Sequence, residues 1–242
     1  MSLGWHNKPL NTSKRGGYND QMIVEHIRNA VLMQRLPPNT KLPEITLGEV
    51  FGVSRTVVRK ALTRLAAEHV INQRPNQVAR VRAPSVEETR ETFSARRLIE
   101  GEIVALQAGK LDAKTLASLH AQVENEKQAY ASKDESARIE HSLTIHHLLA
   151  EHASNHILGT MLTDLILRTS IVIALYKRPT LASCYLEGDH ATLLVHLANG
   201  DAEEARQCVH DHLYSLEALL DLSSKGEDID LKAILGGKFV QS

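Results

Sequence analysis

The sequence predicts a mainly α-helical protein with a small N-terminal domain and a larger antiparallel bundle of six or seven helices. Alanine and leucine are abundant, aromatic residues make up 4% of the chain, and β-branched residues seldom alternate, so helices should dominate. The 242 residues suffice for two modest domains. Charge is divided unevenly, because the first 83 residues hold 13 Lys and Arg against 5 Asp and Glu, whereas the rest holds 15 against 24. The N-terminal domain can therefore attract a polyanion.

The cysteine count indicates a reducing compartment, and the hydropathy of the chain indicates a protein without membrane-spanning segments. The two cysteines, Cys184 and Cys208, are too few for a disulfide framework. No uninterrupted apolar run reaches membrane-spanning length, and the start of the chain lacks the apolar core of a signal peptide. We expect a soluble cytoplasmic protein that does not associate with membranes.

The N-terminal region should contain a disordered arm at 1–18 and a domain at 19–83. Apolar spacing from Asn19 predicts a first helix, which ends before the paired prolines of "RLPPNTKL". A short second helix covers "TLGEVFG", with Thr46 as its N-cap and Gly52 in the following turn. The segment "INQRPNQVARVR", bounded by polar turn residues, predicts a basic hairpin.

The third helix, in "SRTVVRKALTRLAA", has two distinct faces. Ser54 can cap its start, and Arg55, Thr56 and Arg59 lie in its first turns on the exposed side. Its apolar stripe is formed by Val57, Val58, Ala61, Leu62, Leu65 and Ala66. Alone, such a helix is more simply a solvated amphipathic helix. Between a preceding helix with its turn and a basic hairpin, it is typical of a winged helix-turn-helix, whose third helix enters the major groove of DNA.

The stretch "LPEITLGEVFGVSRTVVRKALTRLAAEHVINQRPNQVARV" resembles the winged helix of the GntR family of bacterial transcription regulators. The match covers roughly residues 20–82, and "SRTVVRKAL" is its most specific part. The resemblance implies that Arg55, Thr56 and Arg59 reach DNA and that Arg35, before the prolines, touches phosphate. The hydroxyl of Ser54 can reach phosphate or a base edge in the same way.

Four positions depart from the pattern of that family, and the first is Gln34, which stands where glycine is usual before the paired prolines. Lys60 stands where a Glu is usual, and it adds a cation that should raise nonspecific affinity for DNA. His69 and Val78 stand where glycine is favoured, after the third helix and at the tip of the hairpin. A Val cannot easily take a positive φ, so the tip should differ in shape.

The second domain, at 84–236, reads as helical almost throughout, with a short tail at 237–242. Predicted helices cover 86–109, 112–132, 134–153, 155–176, 183–199 and 202–223, and a seventh at 228–236 would complete the bundle. Gly200 should end one helix, and Asp201 with Glu204 should form a capping box for the next.

Three of the 13 histidines fall on apolar faces of different bundle helices. At about 100° per residue, His146, His190 and His212 each lie within the stripe that should face the core. A single inward histidine is more often a core residue with satisfied nitrogens. Three of them could instead share one divalent cation, because each neutral imidazole needs partners for both nitrogens. Spacing alone leaves both interpretations open.

The C-terminal half resembles the all-helical effector domain of the FadR branch of the same family, over about residues 87–222. The resemblance implies a metal, zinc or nickel, held by three His and one Asp, and it places His146, His190 and His212 at the His positions. Ser142 stands at the Asp position, and a neutral hydroxyl is a poor ligand. Cys208, one turn before His212, is either a soft substitute ligand or a small core thiol.

Arg96 is the other inward polar group, and two roles remain open for it. It can form an intrahelical pair with Glu100, one turn later. It can also anchor the carboxylate of a ligand, since the guanidinium fork suits a carboxylate. The stretch "RRLIE" aligns with the start of the effector domain in the family, which implies a place for Arg96 at the effector pocket.

Together these features predict a ligand-responsive DNA-binding transcription regulator, a repressor by family, that acts as a homodimer on double-stranded operator DNA. The implied effector is a small carboxylate. The alternative is a metal-dependent enzyme with a three-His site. The chain has no HExxH motif and, by helix periodicity, no inward acid placed as a general base beside these histidines, and an enzyme would not explain the basic winged helix. We therefore expect no enzymatic activity.

Overall fold

The computed structural model describes residues 18–32, 35–178 and 185–222, together with Leu231 and Leu235. The predicted tail, almost all of the predicted arm and most of the predicted seventh helix lie outside the described residues. Two compact units are present. One contains the described residues up to Ser85 and the stretch Ser170–Tyr176; the other contains Val86–Thr169 and Lys177–Asp221. We call them the N-terminal and C-terminal units.

Three helices and a small sheet form the N-terminal unit. They follow in the order α1 (Asp20–Leu32), β1 (Lys41–Leu42), α2 (Glu44–Phe51), α3 (Arg55–Ala67), β2 (Ile71–Asn72) and β3 (Ala79–Val81). The sheet has the order β1-β3-β2 with antiparallel pairing, and β2 and β3 are the predicted hairpin. The three-helix winged arrangement is confirmed. Strand β1 was not predicted.

The core of this unit comes from one face of each helix. Residues Ile23, Ile27, Leu47, Leu62 and Leu65 are buried there. Helix α1 packs against α3, as their apolar stripes require. Two ion pairs join the same helices, Arg28 with Glu68 and Arg64 with Asp20.

The turn between α2 and α3 has the predicted glycine but not the predicted caps. Gly52 ends α2 with a φ of 64°, a left-handed conformation that favours glycine. Thr46 is not the N-cap, because α2 begins at Glu44, directly after Pro43. Ser54 does occupy the N-cap position of α3, but its side chain makes no capping hydrogen bond.

Two residues other than glycine take the left-handed backbone conformation before and within the hairpin. His69 takes a φ of 58° after α3, at the position where the family favours glycine. At the tip, the left-handed residue is Asn76, with a φ of 59°, rather than Val78. Asn tolerates this region better than a β-branched residue does, so the tip turns two residues earlier in the chain.

Six helices form the C-terminal unit within the described residues, in agreement with the lower predicted number. They are α4 (Val86–Gln107), α5 (Ala113–Ala131), α6 (Glu135–Glu151), α7 (His156–Tyr176), α8 (Asp189–Asn199) and α9 (Ala202–Ala218). The last residues of α7 are the stretch that belongs to the N-terminal unit. Helix α5 packs against α6, and α4 packs against α9. Helix α8 also contacts α5 and α9, so five of these helices surround a common interior.

Two details of α8 and α9 differ from the sequence prediction. Helix α8 begins at Asp189, and residues 185–188 before it are not helical. Asp201 occupies the N-cap position of α9, but its side chain makes no capping bond. Its carboxylate accepts hydrogen bonds from Asn199 and His196 instead, each at 3.3 Å, so the predicted capping box does not form.

Helix α7 is long and apolar enough to cross a membrane, judged by length and composition alone. Asp164 and Arg168 interrupt it, which is why the sequence shows no uninterrupted apolar run of that length. Core helices of globular proteins have the same composition, and Leu162, Ile166 and Val172 of α7 are buried.

Candidate functional site

The three predicted histidines come together inside the C-terminal unit. His146 lies on α6, His190 on α8 and His212 on α9, and all three are buried. One nitrogen of each lies within 4.8 Å of the others. The Nε2 atoms of His146 and His190 are 3.4 Å apart. We call these residues the three-His cluster.

Each histidine of the cluster is held from behind by a carboxylate. The Nδ1 of His146 donates a hydrogen bond to Glu100, that of His190 to Glu126 at 2.7 Å, and that of His212 to Asp189 at 3.1 Å. A carboxylate can only accept, so each Nδ1 carries the proton. The lone pairs of the three Nε2 atoms are therefore left for a common ligand, and acidic partners of this kind fix the tautomer of metal-binding histidines.

The separation of two histidines in the cluster fits a metal ion. Two nitrogens bound tetrahedrally to zinc at about 2.05 Å lie about 3.3 Å apart, close to the separation of His146 and His190. No proton is available between those two Nε2 atoms, since both rings are protonated on Nδ1. Among the described residues, the buried Nε2 of His212 also has no hydrogen-bond partner. A cation would satisfy all three atoms at once.

Burial keeps the imidazoles of His146 and His212 neutral, which is the form that binds metals. It lowers the pKa of His146 to about 3 and also lowers the pKa of His212. For Glu100, burial would raise the pKa, but the charge of Arg96 and the hydrogen bonds from Arg96 and His146 together outweigh it, and the pKa lies well below its ordinary value. For Glu126, burial would also raise the pKa, but the hydrogen bond from His190 and the charge of Arg138 together outweigh it, and the pKa is lowered.

Arg96 lies next to the three-His cluster, because it shares Glu100 with His146. It is 2% exposed, its Nε donates to Glu100 at 2.7 Å, and one terminal nitrogen donates to Thr169 on α7 at 2.6 Å. The predicted intrahelical pair is thus present. Its other terminal nitrogen, Nη2, is buried without a partner in the part of the chain that the structure describes. An unpaired buried guanidinium N–H is costly, and an anion would satisfy it.

Neither Ser142 nor Cys208 supplies a charged fourth ligand to the cluster. Ser142 is half-buried on α6, and its hydroxyl carries no charge. Cys208 is not among the mutually close ligand atoms found in the described residues. Its thiol donates to the backbone oxygen of Asp189 at 3.5 Å, and burial raises its pKa to about 11, so it stays protonated and is a poor metal ligand.

Sequence reasoning missed the buried acids. We predicted no inward acid placed as a general base beside the histidines, and did not predict that Glu100 and Glu126 are both buried against them. They contact Nδ1 atoms from behind rather than the face that the Nε2 atoms share. A signal was present for Glu126, which lies on the apolar stripe of α5 with Leu119 and Ala129.

The predicted DNA-contacting side chains of the N-terminal unit are all exposed. The exposed residues at the start of α3 are Ser54, Arg55, Thr56, Arg59 and Lys60. Arg35, before the paired prolines, is also exposed. One acid beside the start of α3 was not predicted: Glu44, at the start of α2, pairs with both Arg55 and Arg59.

Two arginines of the hairpin are engaged within the unit. Arg80 donates to the backbone oxygen of Asn39 at 3.1 Å, and Arg82 contacts Nδ1 of His69 at 2.8 Å. Arg74, by contrast, is exposed near the hairpin tip. Arg74 and the exposed cations at the start of α3 are therefore the candidates for nucleic-acid contact.

Family models match both parts of the chain. Residues 91–215, just over half of the chain, match the FCD domain, and residues 19–81 match the family of bacterial regulatory proteins called the gntR family. The HTH-type transcriptional regulator YieP of Escherichia coli strain K12 is 43% identical over 61 residues, which are 25% of this chain and 26% of YieP. The chain thus matches about a quarter of the length of that relative.

Two solved structures share the fold over most of the chain. One is McbR/YncC of E. coli, with a TM-score of 0.69 and 23% identity over 81% of this chain and 93% of that one. The other is a GntR transcriptional regulator of Rhodococcus sp. RHA1, with a TM-score of 0.68 and 20% identity over 82% and 95%. The chain belongs to the GntR family of bacterial regulatory proteins, in the FadR-like branch whose C-terminal domain is an FCD domain.

Proposed function

We propose that this protein is a cytoplasmic, ligand-responsive transcription regulator that binds double-stranded operator DNA as a homodimer and acts as a repressor. The observation that supports DNA binding is the exposed cationic start of α3 behind the turn at Gly52. Arg55 and Arg59 would fork onto base edges, and Thr56 and Ser54 would contact phosphate or base edges. Two copies related by a two-fold axis would read two half-sites.

Lys60 and Arg35 would contribute differently. Both are exposed cations, and contacts between such cations and phosphate raise affinity for any sequence. They should set how strongly the protein binds DNA in general. The choice of operator should depend on Arg55 and Arg59.

In the C-terminal unit, the proposed role is to bind a divalent metal, zinc or nickel, at His146, His190 and His212. A bound metal would supply a Lewis-acidic centre with a coordination position open to a carboxylate oxygen. Ser142 brings no charge to the fourth position, so a ligand carboxylate has no protein carboxylate there to displace. The effector we propose is a small organic acid held by Nη2 of Arg96, whose positive charge also lowers the pKa of His146 and His212.

The DNA assignment is tested by selecting duplexes from a random pool with the intact protein. Binding to the selected duplex should weaken steeply between about 50 and 200 mM salt. Arg59→Ala should lower affinity for that duplex about tenfold or more, because a forked contact with a base is lost. Arg64→Ala, which removes a cation further along the same helix, is the matched control and should cost less.

Failure of the intact protein to enrich any sequence would refute the proposed operator binding. Metal-dependent turnover of a substrate in that situation would favour the enzyme instead.

The effector is tested with a panel of organic acids by thermal shift, with and without a chelator. An acid that raises the melting temperature only when metal is present supports the proposed pocket.

A further inference from the structure

The carboxylate of Glu44 lies between the two arginines proposed to read bases. Its Oε1 accepts a hydrogen bond from Nε of Arg59 at 2.8 Å. Its Oε2 accepts from Nε of Arg55 at 3.2 Å and from Nη2 of the same residue at 3.1 Å. One acid at the start of α2 thus binds two guanidinium groups one turn apart on α3.

The atoms that Glu44 uses leave the reading end of each arginine available. It takes only Nε of Arg59, so both terminal nitrogens of that residue can point away from α2. For Arg55 it takes Nε and one terminal nitrogen, which leaves Nη1. A guanidinium is planar, so fixing one edge fixes the direction of the remaining N–H groups.

Stability is a weak reason for an acid at this position, because the favourable interaction of a first-turn acid with the dipole of α2 is small where the side chain reaches solvent. The side chains of Arg55 and Arg59 are each 61% exposed and that of Glu44 is 24% exposed, and exposed ion pairs contribute little to folding. Affinity does not explain it either, because the hydrogen bond from Arg59 keeps the pKa of Glu44 low and a negative charge on this surface repels phosphate. Orientation of the two arginines is the effect that remains.

We infer that Glu44 is a positioning residue that holds Arg55 and Arg59 in the orientation for base contact, so that it lowers general affinity for DNA and raises discrimination between sequences. The inference rests on the proposed function, since it requires that these arginines read bases. Without Glu44, both long side chains would sample many rotamers and would meet phosphates of any sequence as readily as the correct base edges.

The test compares Glu44→Gln with Glu25→Gln in the full-length protein. Each variant loses one negative charge in the same unit, but Glu25 accepts its hydrogen bond from Gln21 rather than from an arginine. Dissociation constants are measured for the duplex that the wild-type protein selects and for a scrambled duplex of the same composition. Circular dichroism melting checks that both variants are folded.

For Glu44→Gln we expect the ratio of the two dissociation constants to fall about tenfold, with binding to the scrambled duplex unchanged or stronger. Glu25→Gln should leave the ratio unchanged. When Arg55 and Arg59 are both replaced by Ala, adding Glu44→Gln should change the ratio no further, because Glu44 acts through them.

Two results would overturn the inference while leaving the proposed DNA binding intact. One is stronger binding of Glu44→Gln to both duplexes with an unchanged ratio, which would make Glu44 merely a repulsive charge. The other is an effect of Glu44→Gln that persists in the double-Ala background. Failure of the wild-type protein to select any sequence would instead refute the proposed function itself, and the inference with it.

Discussion

Two arginine–glutamate clusters in this protein use the same chemical groups in opposite surroundings. Glu44 pairs with Arg55 and Arg59 on the exposed surface of the N-terminal unit. Glu100 pairs with Arg96 and His146 in the interior of the C-terminal unit, where it is 0% exposed. In water such a pair is weak and its members stay available for other partners, whereas in the interior each charge depends on its neighbours.

Because of that difference, the exposed glutamate should affect mainly the orientation of its arginines, and the buried glutamate mainly the stability of the fold. In the buried cluster, Thr169, Arg96, Glu100 and His146 form a continuous chain of hydrogen bonds, so removing one member leaves its neighbour buried without a partner. In the exposed cluster, water replaces whatever is removed. The exposed glutamate can therefore affect DNA recognition without affecting folding, and the buried one cannot be changed without affecting the fold.

The largest expected effect is on folding. Replacing Glu100 with Ala strands Arg96 and His146 in the interior, and we expect the free energy of unfolding to fall by about 3–5 kcal/mol. Chemical denaturation followed by circular dichroism measures this change. Glu44→Ala is the matched control, and its denaturation midpoint should stay close to that of the wild-type protein. Similar losses in the two variants would show that burial is not what separates the clusters.

The next effect is on metal binding, which only the buried cluster should show. His190→Ala removes one of three nitrogens, so affinity for zinc should fall by more than about 100-fold and dialysed protein should lose its metal. Elemental analysis of protein purified without chelators and without an affinity tag measures the content. His120→Ala, at an exposed position on α5, should retain the wild-type content. Equal metal in both variants would mean that the three-His cluster is not the binding site.

The sequence predicted the helices and their inward faces because these depend on periodicity within one segment. Helices α1 to α3, the six bundle helices and the inward directions of His146, His190 and His212 all follow from spacing along a single helix. Strand β1 could not be predicted in this way. It has two residues, and it exists because Lys41 and Leu42 pair with β3, nearly forty residues later.

The sequence did not predict two kinds of contact. One is a side chain that binds a carboxylate in place of the predicted cap, and the other is a hydrogen bond between side chains of two different helices. Asp201 is correctly spaced for a capping box, yet His196 and Asn199 bind its carboxylate. The attachment of Glu126 to His190 joins α5 to α8, and no pattern within either helix contains it. The pairing of Glu44 with α3 is of the same kind.

A smaller effect on the metal should follow from the acids behind the histidines. Glu126→Gln keeps an oxygen that can accept from Nδ1 of His190 but removes its charge, so metal affinity should fall about 10- to 100-fold. Asp189→Asn makes the same change behind His212, where the acid is 34% exposed, and should cost less. Competition with a chromophoric chelator measures both constants. A larger loss for Asp189→Asn would contradict the importance given to burial.

The smallest expected effect is a pH dependence of stability in the metal-free protein. Burial lowers the pKa of His146 to about 3 and that of His147 to about 4, whereas an unfolded histidine titrates near 6.5. Between about pH 6.5 and 4 the unfolded chain binds protons that the folded chain does not, so stability falls as the pH is lowered through this window. The low pKa of Glu44 affects stability only at more acidic pH, because an unfolded carboxyl group is still ionised above about 5.

His147→Gln removes one histidine that gains a proton on unfolding. It should reduce the slope of unfolding free energy against pH by about 1 kcal/mol per pH unit. Denaturation at pH 5 to 6.5 in the presence of chelator measures the slope, with His120→Gln as the matched loss of an exposed histidine. An unchanged slope in His147→Gln would show that this residue is not held neutral in the fold, and acid sensitivity would then have to come from His26, His146 and His212, whose pKa values burial also lowers.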